Sequence, residues 1–384
     1  MEQKWHEGYK IVVLGEADVM ECEGLMFPTT DEQHLDFFKH HSFTPQGIPV
    51  KYYHPLIDSV PDNIVANMDL YTVNLKDALR DKLFLLMLSN SQLSDASMTA
   101  LVHGVETMAD NMSFPFLPTL IRESSEKQTT IERGFGKTAI PFQVDARRSV
   151  PATSRVLLRL KDLGLFASAD FALNIDKNLS KIMKDDSITV FSTKWLEESE
   201  IACSLNYYLL QLVINNVHPD KKTLIIVDDA WRLFPSKRNQ ETEAQSRLAM
   251  NMVKLIKWVR KRGAYIIAVA QKPDDIYDRI LNEMSVKICF QMDLDKAELK
   301  AQLPSAEAID LEIIPKLKKR HWIVLGYDKV RNPFRGFQCY VRETQHVTAA
   351  NQQELLSKIG FKDAISEKLL LASNWQRTTD MISG

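Results

Sequence analysis

Leu224-Ile225-Ile226-Val227-Asp228-Asp229 is a run of four apolar residues followed by two acids. A short, continuous apolar run suits a strand buried on both faces, as in a parallel sheet covered by helices. Such a strand delivers its terminal acids to the carboxyl edge of the sheet, where open α/β folds bind ligands. Downstream, Tyr265-Ile266-Ile267-Ala268-Val269-Ala270-Gln271-Lys272-Pro273 is a second buried run, and it ends in an amide. Gln271 follows Asp228 by 43 residues, with an amphipathic helix at 247–261 between them and Gly263 as its stop. That is the length of one right-handed β-α-β crossover after a loop, which makes the two strand ends neighbours.

The same syntax extends in both directions. Further strands are expected at 11–14, 50–53, 187–191, 287–291 and 321–325. Helices are expected at 2–6 with Gly8 as a left-handed stop, at 31–41, over much of 75–122, at 151–163 and at 200–215. A polar stretch at 123–150 carries a hairpin around Gly134 and Gly136, and 345–384 reads as a polar, mostly helical tail. Strands alternating with helices predict an α/β fold with a mostly parallel central sheet flanked by helices. The expected division is 1–60 as the first part of the core, 61–150 as a mainly helical insertion with a β-hairpin, 151–344 as the second part of the core, and the helical C-terminal tail.

Composition removes several classes. The 384 residues are 45% hydrophobic and 26% charged, which is globular usage rather than disorder. Lys and Arg total 48 against 50 Asp and Glu, a net charge of −2, so a basic tail coating nucleic acid is excluded while a local basic channel is not. Cys22, Cys203, Cys289 and Cys339 are scattered with no CxxC pair, which suggests neither a zinc site nor a disulfide framework and fits a reducing cytoplasm. No apolar run approaches the ~18 residues of a membrane span, and the polar N-terminus lacks a signal-peptide core. His34, His40 and His41 cluster, but without acids at helical spacing they read as a surface helix end rather than a metal site.

An apolar strand ending in paired acids is the Walker B pattern. In nucleoside triphosphatases the first acid holds Mg²⁺ and the second orients and deprotonates the attacking water. Here those are Asp228 and Asp229; the plain alternative is a strand followed by two loop acids. Gln271 would sense the γ-phosphate or position water, or else simply cap a loop. Arg260 and Arg262, just before the second strand, would reach a neighbour's phosphates as an arginine finger, or else complement the dipole of their own helix.

Taken in order, LIIVDDAWRLFP, a polar loop, MNMVKLIKWVRKRGAYIIAVAQKPDDIYDRILNEMSVKICFQMD and the closing IVLGYDKVRNPFRGFQCYV resemble the C-terminal half of the HerA/FtsK superfamily. RVLLRLKDLGLF followed by DSITVFSTKWL is similar to the segment before Walker B, so the likeness covers about 150–342. GYKIVVLGEAD resembles, more weakly, the strand after the P-loop helix. The resemblance implies a RecA-like P-loop NTPase core of the archaeal, viral or conjugative variety, forming hexameric rings that use ATP and Mg²⁺ to pump double-stranded DNA. It implies Asp228 as the Mg²⁺ ligand, Asp229 as base, Gln271 as sensor and Arg260 or Arg262 as finger. Candidate DNA contacts are Lys237 and Arg238 in one polar loop and Lys318, Lys319 and Arg320 in the run KLKKR, each of which also reads as a solvated surface.

Two departures stand out. Walker B is usually Asp-Glu in that family, whereas Asp229 is one methylene shorter. The phosphate loop G-x-x-x-x-G-K-[ST] is not found: the one Gly-Lys-Thr, Gly136-Lys137-Thr138, has Ile131 where the pattern needs glycine and Pro141 where it needs a helix. Lys137 and Thr138 therefore read as part of a hairpin, with a degenerate phosphate loop as the alternative. The family order puts that loop before the strand at 11–14, so the chain is expected to start within the P-loop helix. Losing several charge-assisted phosphate contacts of ~1.5–3 kcal/mol each would take a micromolar site to millimolar or weaker. This leaves two readings: a translocating ATPase impaired by the missing loop, or a catalytically inactive paralogue serving as a structural or regulatory subunit.

Overall fold

The structure is a computed structural model. It describes principally residues 1–16, 25–56, 68–74, 172–193, 199–303 and 308–327, with strands at 130–133, 140–143, 333–334 and 338–340. The first half of the chain contributes α1 (Glu2–His6), β1 (Lys10–Gly15), α2 (Glu32–His40), β2 (Val50–Pro55) and β3 (Met68–Thr72). A separate antiparallel hairpin pairs β4 (Thr130–Arg133) with β5 (Ile140–Gln143). Then come β6 (Leu173–Asn174), α3 (Ile175–Lys184), β7 (Ile188–Ser192), α4 (Ser199–Asn215), β8 (Thr223–Val227), α5 (Glu243–Val259) and β9 (Ala264–Ala268). The remainder is α6 (Asp278–Glu283), β10 (Val286–Cys289), α7 (Lys296–Gln302), α8 (Ala308–Ile313), β11 (His321–Tyr327), β12 (Pro333–Phe334) and β13 (Gln338–Tyr340).

Seven strands build one sheet in the order β6-β3-β2-β7-β1-β8-β9. All of its pairings are parallel. The apolar runs explain this. Val12 and Leu14 of β1 pack on one face with residues of α4 and α5, while Ile11 and Val13 pack on the other with Trp5 and Tyr9. A strand apolar on both faces is stable only between two covering layers, and each fully buried aliphatic side chain stabilises by about 1.5–3 kcal/mol. This is the expected α/β architecture, a RecA-like core.

Local signals set the helix ends. Thr242 caps α5 through its hydroxyl, which accepts from Gln245 N at 3.3 Å, and the Gln245 side chain accepts from Thr242 N at 3.2 Å. That reciprocal box starts the helix earlier than the apolar periodicity alone suggests. Gly263, at φ +74°, ends the basic turn Arg260–Arg262 and hands the chain to β9. Gly8 is likewise left-handed, at φ +81°.

Two features differ from expectation. β3 lies inside the segment expected to be a helical insertion, yet it pairs with β2 in the main sheet. The acid-rich sequence around 57–69 has no clean apolar run, so only tertiary pairing reveals this strand. β6 is two residues long and gives no periodicity at all. The helix expected at 151–163 and the tail at 345–384, together with all but isolated positions of 75–122, lie outside the described residues.

β10, β11, β12 and β13 form a second, antiparallel sheet with its own core, in which Cys289, Leu299, Leu311, Ile323 and Leu325 are buried. Among the described residues, β9 ends the main sheet and β10 ends the small one. Both carry apolar side chains on an open face. Tyr265, Ile267 and Val269 are 46%, 45% and 45% exposed, and Val286, Ile288 and Phe290 are each more than half exposed.

Candidate nucleotide site

The carboxyl ends of β1, β8 and β9 converge. Leu14 pairs with Val227, and Val227 pairs with Ala268. The next residue, Asp228, donates its amide to Leu14 O at 2.9 Å. Asp229 then turns the chain with φ +44°, a left-handed conformation that Asp tolerates better than most residues. Ala230 N donates to Val269 O at 2.8 Å, tying the turn to the end of β9. Gln271 follows two residues later and is exposed. Asp228, Asp229 and Gln271 thus leave adjacent parallel strands at the same edge of the sheet.

Gly15 is required by this convergence. Its φ is +114°, and a Cβ there would stand 2.4 Å from the Asp228 carbonyl oxygen. Its own carbonyl accepts from Thr193 N at 2.9 Å and from the Thr193 hydroxyl at 3.1 Å. Asn206 Nδ2 in turn donates to that hydroxyl at 3.0 Å, so a buried polar cluster backs the edge.

The structure adds two residues that the sequence reading did not single out. Glu16, directly after Gly15, forms an ion pair with Arg232. Its carboxyl also hydrogen-bonds the Asp229 side chain and is pushed up, first by burial and then by the neighbouring Asp229 and Asp228 charges, against the pull of Arg232. Asp228 is raised as well, first by burial and then by Asp229. Crowding of carboxylates favours either a proton or a divalent cation. A signal for Glu16 existed in the sequence: IVVL-Gly-Glu repeats the pattern of an apolar run ending in an acid.

The donor set suits Mg²⁺, a hard cation held by one or two carboxylates and substrate phosphates. Asp228, directly after β8, is the candidate to hold it. Among the described residues, no group of three or more His, Cys, Asp or Glu side chains is arranged to ligate a metal. His40 and His41 instead reach carbonyls of their own helix, each at 2.8 Å.

Other candidates fall elsewhere. Arg260 and Arg262 are exposed at the amino end of β9, at the opposite edge from Asp228. Five strand residues at ~3.3 Å separate them from the acid end by about 16 Å. Lys237 and Arg238 are exposed in the turn after β8, and Arg238 reaches Asp274 at 3.4 Å. Lys318 and Lys319 are exposed before β11. Lys137, Thr138 and Arg320 lie outside the described residues, but Lys137 and Thr138 fall between the antiparallel strands β4 and β5. A phosphate loop needs a strand before it and a helix after it.

Residues 178–292 match the family model described as "ATPase family associated with various cellular activities (AAA)". That stretch contains β7, β8 and β9, with the acid pair and Gln271. The parallel sheet is a RecA-like α/β fold, and residues 178–292 of the chain are similar to that family. The chain is similar to the plasmid coupling protein TrwB in complex with the non-hydrolysable GTP analogue GDPNP. The identity is 12%, coverage is 92% of this chain and 89% of that one, and the TM-score is 0.48. It is also similar to the genome packaging NTPase B204 of Sulfolobus turreted icosahedral virus 2 in complex with ATP-gammaS, at 16% identity and a TM-score of 0.29, covering 36% of this chain. The match spans 62% of the packaging NTPase's length. No curated protein matches the chain. No helix among the described residues is long and apolar enough to cross a membrane.

Proposed function

We propose that this chain is a DNA-translocating ATPase of the HerA/FtsK type, impaired because no phosphate loop is found in its sequence, working in the cytoplasm as a hexameric ring on double-stranded DNA. The observation that carries this reading is the delivery of Asp228, Asp229 and Gln271 to one sheet edge by the neighbouring strands β8 and β9. Asp228 holds Mg²⁺, Asp229 accepts the proton of the attacking water, and Gln271 contacts the γ-phosphate. Arg260 and Arg262 serve a neighbouring subunit, because they stand at the wrong edge to serve their own. Lys237, Arg238, Lys318, Lys319 and Arg320 grip the DNA backbone, a contact that needs cations and carries little sequence information.

A second reading, a non-catalytic paralogue docked on an intact ATPase, is supported by the placement of Gly136-Lys137-Thr138 between antiparallel strands.

The test is calorimetric titration with Mg-ATP, alongside duplex binding and hydrolysis assays. The 384-residue chain is expected to bind Mg-ATP at millimolar Kd or weaker and to bind duplex DNA with steep salt dependence. A chimaera with a strand, G-x-x-x-x-G-K-T loop and helix placed before Met1 should gain micromolar binding and duplex-stimulated hydrolysis, both lost in Asp228→Asn. A chimaera that binds Mg-ATP tightly but never hydrolyses it would favour the paralogue. Micromolar binding by the chain alone, lost in Lys137→Ala, would make the hairpin the phosphate site.

A further inference from the structure

From Ala244 to Pro273 the chain has seven Lys and Arg residues and no acid. Most of this stretch is α5 and its basic terminal turn. Beside it, α4 and α5 enclose a groove of about 400 Å³, with Tyr207 and Gln211 on one wall and Asn251, Lys254 and Trp258 on the other. That volume lies at the lower end of small-ligand clefts, about 300–1,000 Å³. Asn251, Lys254 and Trp258 follow one another at intervals of three and four residues, so they share one face of α5. The Arg262 guanidinium lies over the Trp258 ring, 4.3 Å from its centroid. Trp258 is nevertheless 44% exposed. A cation on one face of an indole steadies its plane and leaves the other face for a second flat group.

Three chemistries meet in this groove. The indole is a stacking platform. Gln211 and Asn251 each carry a carbonyl acceptor and an NH₂ donor, which matches the mixed donor and acceptor edge of a nucleobase. Lys254, Arg260 and Lys261 are exposed around the indole and suit phosphates on either side of such a base. Lys257 is engaged with Glu283 at 3.0 Å and is set aside. Rival ligands use only part of this set. An acidic protein segment would satisfy the cations but offers nothing flat to the indole. Duplex DNA keeps its bases stacked and paired, so it presents none to a groove until it unpairs.

We propose that the α4–α5 groove holds an unpaired base of single-stranded DNA, stacked on Trp258, with Gln211 and Asn251 at its edge and Lys254 at a neighbouring phosphate. The groove shares no residue with Lys237, Arg238, Lys318, Lys319 and Arg320, the proposed duplex contacts, so it is a separate site. Only the choice of DNA over RNA rests on the translocase reading, because the groove addresses base and phosphate rather than sugar. On a translocase it would capture a frayed end or a displaced strand.

The probe is a labelled oligothymidylate on the order of ten nucleotides long, read by anisotropy, with thermal melts as fold control. It is compared with an abasic strand of equal length, a duplex, an oligouridylate, thymidine monophosphate and polyglutamate. The single strand is expected to bind with Kd of about 1–100 µM at physiological salt. Trp258→Ala should weaken it about 5- to 150-fold, the span of one stacked base, and Trp258→Phe should stay within about threefold. Lys254→Gln should lower the slope of log K against log salt by about 0.7. An abasic strand that binds as tightly, or a folded Trp258→Ala chain that binds as well as wild type, would overturn the proposal. So would polyglutamate, duplex or thymidine monophosphate binding with the same strength and the same dependence on Trp258, each of which gives the groove to another ligand. Tighter binding of oligouridylate would overturn the assignment to DNA. Single-strand binding as proposed, with no duplex affinity in any chain, would sink the translocase reading and uphold the groove. Duplex affinity that survives Trp258→Ala, with no single-strand binding, would do the reverse.

Discussion

Gly15→Ala is the most informative single substitution at the sheet edge. Gly15 sits at φ +114°, outside the regions open to L-residues, and its missing Cβ would stand 2.4 Å from Asp228 O. An ordinary contact of this type is about 3.4 Å, so the ends of β1 and β8 would have to separate by about 1 Å. That movement strains Asp228 N→Leu14 O and Thr193 N→Gly15 O, each 2.9 Å. Backbone strain of roughly 1–3 kcal/mol, plus two bonds at roughly 0.5–1.5 kcal/mol each, gives a loss of about 2–6 kcal/mol. Against a typical total of about 5–15 kcal/mol, this is a large fraction. Urea denaturation would show it as a lower midpoint at unchanged slope, and hydrogen exchange would speed up at the Asp228 amide. Asn should be no better than Ala, because φ +114° is not the left-handed helical region that Asn favours. Stability within ~0.5 kcal/mol of wild type, with Asp228 protection intact, would refute the close approach of β1 and β8.

Three further outcomes are expected. Lys10 is buried, donates to Asp185 O at 2.9 Å and to Ser187 O at 2.8 Å, and is pulled down by burial to about 7, with Asp185 and Asp186 opposing and Lys51 and Lys221 assisting. Between about 7 and the ordinary value of 10.5 the folded state holds fewer protons than the unfolded one, so stability should climb with pH across that window. The slope is at most ~1.4 kcal/mol per pH unit, and Lys10→Met should flatten it in denaturation series at pH 6 to 10. Asp229→Asn should leave stability within ~0.5 kcal/mol, because Asn also tolerates the left-handed turn, whereas Asp229→Ala should cost about 1–2 kcal/mol; equal thermal shifts would contradict the strained turn. Thr242→Ala removes the capping box of α5 and should cost ~1 kcal/mol by denaturation, with Thr242→Ser close to wild type.

The amino-acid sequence by itself determined the strands that carry the chemistry. Runs such as IVVL, ITVF and LIIV are apolar on both faces, and only a parallel sheet between helices can bury them, so class and strand positions were legible locally; YIIA reads the same way, yet Tyr265 and Ile267 lie 46% and 45% exposed. Thr242, Gly263 and Gly8 set helix ends through capping and left-handed backbone, which are also local effects. Apart from the β8–β9 neighbourhood, which the crossover length already implied, tertiary structure decided strand order, because a run buried on both faces has no alternation to say which strand lies beside it. It alone recruited β3 and the two-residue β6, whose sequences carry little periodicity of their own. The meeting of Glu16 with Asp229 and Arg232, across more than two hundred residues of chain, was likewise a product of parallel pairing between β1 and β8. The same pairing put Arg260 and Arg262 at the edge away from Asp228, since parallel strands send everything before them to one end and everything after them to the other.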